Sequence, residues 1–450
     1  MKNSRCCIAL VLCFWFTLGC TKLPPSPTED STLSIPPAFP LASTETTDEQ
    51  TLRFLQNKIK EDPDDFIAQN KLAGWHLQRL RETGDLASLE FAIKAAHASL
   101  LTLPAEHNTG ALALLAQAEF TAHDFTASRD HAERLVQLEP GKGYPFGILG
   151  DALLELGDYD GASTAFREFE RSGGIQGLTL VAIDQRMSRL AFLRGDVETA
   201  ERRMRTALKA ALSLPLPPRE TVAWCRWQLG ELAFAIGKYD IAEQHYRDAL
   251  TTYPGYYRAL ASLGRVRSAR NDLTDAIAQY EHAINIIPDP SFVAALGDLY
   301  KRAGRDRDAD KQYKLFEAIA KLSVYSRQQA LFYADHDVRL QEAYSIAAKE
   351  YAVRKDIYGA DALAWTALKA GRLNEARTSI QDALRLGTPD ARLLYHAGEI
   401  AKAAGDNLSA IDYFKRASAL NQEFDVLLAT LMRKSYLELD LEAGLARHKD

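Results

Sequence analysis

The chain has 450 residues, 47% hydrophobic and 25% charged, with a formal net charge of −6; it is apolar enough to bury a large core and too acidic to make nucleic acid a partner. Without residues 1–19, which carry Lys2 and Arg5, the charge is −8, which strengthens that exclusion. Of five cysteines, Cys6, Cys7, Cys13 and Cys20 fall in the first twenty residues; beyond them no disulfide framework can form, and Cys225, beside Trp224 and Trp227, reads as a buried inert thiol.

In chain order the first predicted element is a leader. Residues 1–5 carry two positive charges, residues 6–19 form an apolar run, and the composition then turns polar and proline-rich. The run is shorter than the roughly 20 residues a spanning helix needs, so residues 1–19 read as an export signal. Thr17-Leu18-Gly19-Cys20 resembles the bacterial lipobox, in which a small residue precedes a cysteine that is lipidated and becomes the mature N-terminus. Gly19 and Cys20 match it, whereas Thr17 stands where Leu is commonest. The resemblance implies lipidation at Cys20, whose several acyl chains would hold the protein at a membrane. Thr21, rather than Asp, after the cysteine implies a cell-envelope protein anchored in the outer membrane and facing the periplasm. Residues 20–48, with Pro24, Pro25, Pro27, Pro36, Pro37 and Pro40 among Ser and Thr, are expected to form a disordered tether.

A small residue then recurs: Ala116, Gly150, Ser188, Gly230, Gly264, Gly297, Ala330, Ala364 and Gly398, at intervals of 33 or 34 apart from 38 and 42 where Gly173 and the prolines after Leu212 intervene. Two helices that cross closely need such a residue on each facing surface, which Gly230 with Ala242 and Gly264 with Ala276 would supply. Tyr246 and Tyr280 would fill the wedge between successive hairpins, Gly157, Gly195, Gly237, Gly304, Gly371 and Gly405 mark turns, and Pro140, Pro254 and Pro288 close second helices. The set Leu229-Gly230, Tyr239, Ala242, Tyr246, Ala249 and Pro254, repeated 34 residues on as Leu263-Gly264, Leu273, Ala276, Tyr280, Ala283 and Pro288, resembles the tetratricopeptide repeat. The resemblance runs from about Pro63 to Gln422. It implies an all-α, right-handed superhelical solenoid of about ten TPR helical hairpins with a C-terminal capping helix.

The organisation expected is therefore residues 1–19 as signal peptide, 20–48 as lipidated cysteine and tether, 49–211 as N-terminal units, 212–220 as a Pro-rich insertion, 221–422 as C-terminal units, and 423–450 as capping helix and tail. The insertion, with Pro215, Pro217 and Pro218, either bends or divides the array or is simply a longer loop. An extended binding surface and no enclosed pocket is the expectation for such a solenoid. Replacing Gly264 by Leu should cost several kcal/mol through overpacking, and replacing Ser262 by Ala should cost little.

No phosphate loop, paired cysteine ligands, His-Glu-x-x-His or nucleophile elbow is present, so the chain is read as no enzyme, with no cofactor and no metal. His396 with Glu399, and Asp335-His336-Asp337, read as ordinary polar groups rather than metal ligands. In tetratricopeptide arrays the first helix of each hairpin lines a concave groove. That resemblance places Arg189, Phe192, Trp224, Trp227, Glu231, Phe234, Arg258, Arg265, Trp365 and Tyr395 at a partner-binding groove, and the same offsets give Asp298 and Arg392. Aromatics beside arginines dominate binding hot spots, although such rings also pack between hairpins. The function expected is a membrane-anchored periplasmic scaffold or adaptor binding a protein or peptide partner of the cell envelope, as in assembly, secretion or pilus machines. The alternative is a carbohydrate-binding or exopolysaccharide-export lipoprotein subunit in which Trp224, Trp227 and Trp365 stack on sugars.

Overall fold

A computed structural model describes residues 35–41, 45–173 and 176–447. The leader, the lipobox and Cys20 lie outside the described residues, as do 42–44 of the tether and the last three residues. Twenty-two α-helices and no strand occur among the described residues. The first, α1 (Glu45–Glu61), precedes ten hairpins. These are α2 (Phe66–Thr83) with α3 (Ala87–Thr102), α4 (Thr109–Thr121) with α5 (Phe125–Leu138), α6 (Tyr144–Leu156) with α7 (Tyr159–Gly173), α8 (Gly177–Leu193) with α9 (Val197–Leu212), and α10 (Arg219–Ala235) with α11 (Tyr239–Thr252). Five more follow: α12 (Tyr257–Ala269) with α13 (Leu273–Ile286), α14 (Pro290–Arg302) with α15 (Asp306–Ile319), α16 (Ser326–Asp335) with α17 (Leu340–Val353), α18 (Ile357–Lys369) with α19 (Leu373–Leu384), and α20 (Ala391–Ala403) with α21 (Asn407–Leu420). The last helix, α22 (Leu428–Arg447), buries Leu428, Met432 and Leu439 against Leu394 and Phe414 of the tenth hairpin and so caps the array.

Local chemistry explains the repetition. Asp124, Asp196, Asp272 and Asp406 each cap a second helix by accepting an amide hydrogen bond three residues on, at 2.9–3.2 Å, a feature worth about 1 kcal/mol apiece. The recurring small residue answers chiefly to an aromatic of its own hairpin rather than to the facing alanine. A Cβ on Gly230 would stand 2.3 Å from the Tyr246 ring, one on Gly264 2.6 Å from Tyr280, and one on Gly398 2.3 Å from Phe414. Each aromatic ring thus occupies the space that a side chain at the glycine would need, and close helix crossing follows from that fit.

The array closes on itself after five hairpins, which the repeat pattern does not announce. The turn of hairpin 1 meets the end of hairpin 6, where a Cβ on Gly84 would be 3.1 Å from Ile287. At hairpin 2, His123 hydrogen-bonds the backbone of Val324 just after hairpin 7, and Arg354 from the end of hairpin 8 stands over the Phe125 ring at 4.6 Å. At hairpin 3, the Ile357 amide donates to the Tyr159 hydroxyl at 2.9 Å and Arg354 pairs with Glu155. At hairpin 4, the Thr388 hydroxyl donates to the Leu193 carbonyl. At hairpin 5, the Asn421 amide donates to the Phe234 carbonyl and the Tyr239 hydroxyl to Asn421 Oδ1, both at 2.6 Å. Hairpin n therefore touches hairpin n+5 along a continuous seam, and the ten hairpins make two superhelical turns in direct contact.

One open alternative is settled and one expectation changes. The insertion at 212–220 does not divide the array, because one apolar cluster runs across it from Val181 and Met204 to Val222 and Leu229, and Glu220 behind it pairs with Arg81 of hairpin 1 at 2.6 Å. The tether, expected to be disordered to residue 48, is instead helical from Glu45, and its residues 35–41 are seated on the array. A proline-rich segment cannot build a core of its own, but Ile35 and Leu41 find one ready-made.

Candidate functional site

The first helices of the hairpins form the inner wall of the superhelix, and where its turns meet they line a half-open cavity of about 1150 Å³. An extended open surface was the expectation from sequence; the five-hairpin pitch turns it into an interior. Side chains from α2 to α20 reach this space, including Arg81, Asp151, Gln185, Trp224, Asp298 and Arg392.

Seven of the ten residues expected at the groove line the cavity: Arg189, Phe192, Trp224, Glu231, Phe234, Arg258 and Arg265. Most belong to one network on α10 and α12. Glu231 accepts from Arg265 at 2.6 Å, from the Tyr246 hydroxyl at 2.7 Å and from Ser262 at 2.9 Å. Burial pushes the Glu231 carboxyl up, but the Arg265 guanidinium and these hydrogen bonds hold it below its ordinary value. Arg265 also lies 4.0 Å over the Phe234 ring, and Arg258 lies over Trp227 and Tyr257 at 5.4 and 5.1 Å. Trp224 meets Trp227 edge-on at 6.4 Å. Arg189 pairs with Glu155, which ties the cavity wall to the seam. Burial would raise the Glu155 carboxyl, yet Arg189 and Arg354 together hold it down at about 2.

The remaining three are placed otherwise. Trp227 is half-buried behind the wall, with its indole N–H donating to Ser262 at 2.9 Å. Trp365 and Tyr395 are both 2% exposed and belong to the core rather than to a groove surface. Trp365 stacks on His396 with centroids 4.3 Å apart and donates its indole N–H to Asp335 at 2.8 Å. The repeat offset presumes an empty inner face, and here the neighbouring α16 and α20 fill it.

A second polar cluster was only partly visible in the sequence. His336 sets Nε2 against Asp298 and Nδ1 against the Phe332 carbonyl, both at 2.8 Å, and Arg392 bridges Asp335 at 3.3 Å and Asp425. Burial would lower the His336 imidazole, but the hydrogen bond to Asp298 raises it above 6.5. The repeat offsets found Asp298 and Arg392; His336 and Asp335 stood out only as a local run, because their partners lie 38 and 57 residues away. Among the described residues no group of three or more His, Cys, Asp or Glu is arranged to hold a metal ion. Cys225 is fully buried and burial pushes its thiol up to about 12, which makes it unreactive.

The arrangement presents rings, guanidinium groups and paired carboxylates on a wall of helices. The chain is similar to several known proteins. TPR repeat-containing protein YpiA of Bacillus subtilis (strain 168) is 26% identical over 219 residues, 47% of this chain and 51% of that protein, so the chain spans about half the length of this curated relative. A crystal structure of a tetratricopeptide repeat protein from Parabacteroides merdae is similar at 19% identity, covering 56% of this chain and 99% of that one with a TM-score of 0.32. Yeast Tom70 is similar at 11% identity, covering 83% and 96% with a TM-score of 0.32. Family models described as tetratricopeptide repeat match residues 180–255 and residues 113–176, 228–291 and 362–423. These matches span more than half of the chain, which belongs to the tetratricopeptide-repeat family.

Proposed function

We propose that this protein is a non-catalytic scaffold of the cell envelope, held at the outer membrane by lipid on Cys20, which binds a protein or peptide partner inside its superhelix. Repeats of this family serve protein–protein interaction, and the observation that carries the present reading is the inner wall on which Phe192, Trp224, Arg258 and Arg265 converge. Aromatic and arginine side chains held by neighbours lose little entropy on binding, so they suit a hot spot. The guanidinium groups favour a partner segment carrying carboxylates. A sugar-binding role would have drawn on Trp365, whose faces are occupied within the core.

The test pairs two variants. Trp224→Ala with Arg258→Ala should abolish recovery of cross-linked partners from native envelopes while helicity and melting stay close to wild type; undiminished recovery would remove the cavity from consideration. Cys20→Ser should release the protein from the membrane fraction and shift its gel mobility. Continued fractionation with membranes, with no mobility change, would remove the anchor.

A further inference from the structure

Residues 35–41, Ile-Pro-Pro-Ala-Phe-Pro-Leu, adopt no regular element and yet are held at both ends. Arg226 of α10 donates from Nη2 to the Pro36 carbonyl at 3.3 Å, while its Nη1 pairs with Asp248 of α11 at 3.2 Å. The Leu41 amide donates to the carbonyl of Thr252, the last residue of α11, at 3.3 Å. Ile35 and Leu41 both pack on the cluster of Val181, Met204, Leu208, Val222 and Leu229. None of residues 35–41 lines the central cavity, although Met204 of the cluster beneath them does.

Arg226 is the informative residue. It is 1% exposed on a helix whose other buried side chains are mostly apolar, and burying a guanidinium is unfavourable unless its donors are used. One terminal donor goes to Asp248 and the other reads a backbone carbonyl of the docked segment, while the buried Nε has no partner. A helix-terminal carbonyl that accepts from Leu41 and an apolar surface for two branched side chains complete the arrangement. A donor for a carbonyl, an acceptor for an amide and wells for flanking aliphatics are what an extended peptide requires, and prolines at 36, 37 and 40 keep such a peptide extended before it binds.

We propose that this face of α8–α11 is a peptide-binding site distinct from the cavity, specific for an extended proline-bearing segment with a branched aliphatic residue at each end. Residues 35–41 are its resident occupant, exchangeable with a segment of the same chemistry on a partner protein. Exchange is reasonable because the hold is light: two backbone hydrogen bonds at 3.3 Å, with Phe39 left 46% exposed. The occupant's advantage is its covalent attachment a few residues before α1, equivalent to a local concentration on the order of millimolar. A partner segment competes once it exceeds that advantage.

The experiment uses the full chain with Ile35→Asp and Leu41→Asp, which empties the site without touching its wall, and a fluorescent peptide of residues 33–43 as probe. Anisotropy should show saturable binding to the variant and at least ten-fold weaker binding to wild type, and a peptide carrying the same two aspartates should bind neither. A variant with wild-type helicity and melting that shows no saturable binding overturns the proposal. Should the variant lose its fold, a peptide with a photo-cross-linker at position 39, at millimolar concentration on wild type, must label α9–α11; labelling elsewhere or none overturns it equally. Wild-type dimers that the free peptide dissolves would overturn the assignment to a foreign partner, the donor then being a second copy.

Discussion

At the scale of single residues, glycine does two separable jobs in this array. Gly157 and Gly371 both sit in hairpin turns with φ of +87° and +76°, where any other L-residue costs about 1–3 kcal/mol. Only Gly157 faces the seam: a Cβ there would stand 2.2 Å from the Lys355 carbonyl oxygen, whereas nothing lies within 4 Å of Gly371. Gly371→Ala should therefore lose only the conformational part, and Gly157→Ala about 2 kcal/mol more through overpacking, as read by urea denaturation of the two variants. Equal losses would mean that the seam yields freely. A second residue revises an expectation. Ser262→Ala looked harmless from sequence, but Ser262 accepts from Trp227 and donates to Glu231. Its loss leaves the half-buried Trp227 indole N–H without a partner and takes one of three donors from Glu231, and should cost about 1–2 kcal/mol, while Gly264→Leu drives a side chain into Tyr280 and should cost more. Turn glycines and the recurring small residue were legible because each acts within a few tens of residues at a fixed spacing, whereas the aspartate caps and the aromatic that meets each glycine emerged only from the structure.

Helices and their junctions tell a different story, since the seam joins residues such as Tyr159 and Ile357, or Leu193 and Thr388, 198 and 195 apart. No periodic signal marks such pairs. The repeat length is common to many superhelical pitches, and it is the pitch that decides which hairpins meet. The groove assignment shared that blindness: offsets from the small residue found the wall at Trp224, Arg258 and Arg265 but could not see that Trp365 and Tyr395 would be covered. The chemistry of the seam makes it acid-sensitive. Glu155, at about 2 against an ordinary 4.5, contributes stability that is whole above pH 4.5 and lost as pH falls towards 2. His123 beside Arg354, and His245 on α11, are held down at about 4 from an ordinary 6.5 by burial and neighbouring arginines. The unfolded chain therefore takes up protons before the folded one does between pH 6.5 and 4, and stability falls through that window too. Melting temperature should decline in two stages as pH drops. Glu155→Gln should leave the histidine stage between pH 6.5 and 4.5 intact while flattening the stage below it; a variant that keeps both stages would show that Glu155 is not the group responsible.

For the whole molecule, the seam changes what kind of object a repeat array is. In an open solenoid each unit touches only its neighbours, stability is a sum of local terms, and unfolding spreads from the ends. Here hairpins 1 to 5 are also bonded to hairpins 6 to 10, so an end cannot fray without breaking contacts one superhelical turn away. Once the hairpins have stacked, the pitch already brings the partners together, and seam bonds form without a fresh loop-closure cost. Wild type should accordingly unfold in one transition with matching calorimetric and van't Hoff enthalpies. Removing seam bonds by Arg354→Ala, Tyr239→Phe and Thr388→Val together, which also takes the local pairs of Arg354 with Glu350 and Asp356, should split that transition into at least two and enlarge the radius of gyration measured by X-ray scattering, while helicity holds. Removing Arg354 is the largest contribution, about 3 kcal/mol, because it leaves Glu155 with Arg189 alone. The same variant should expose the inner wall, so partner capture would become faster if access to the cavity requires the turns to part. A multistep transition in wild type would sink the argument, because the seam would then add contacts without coupling the two turns.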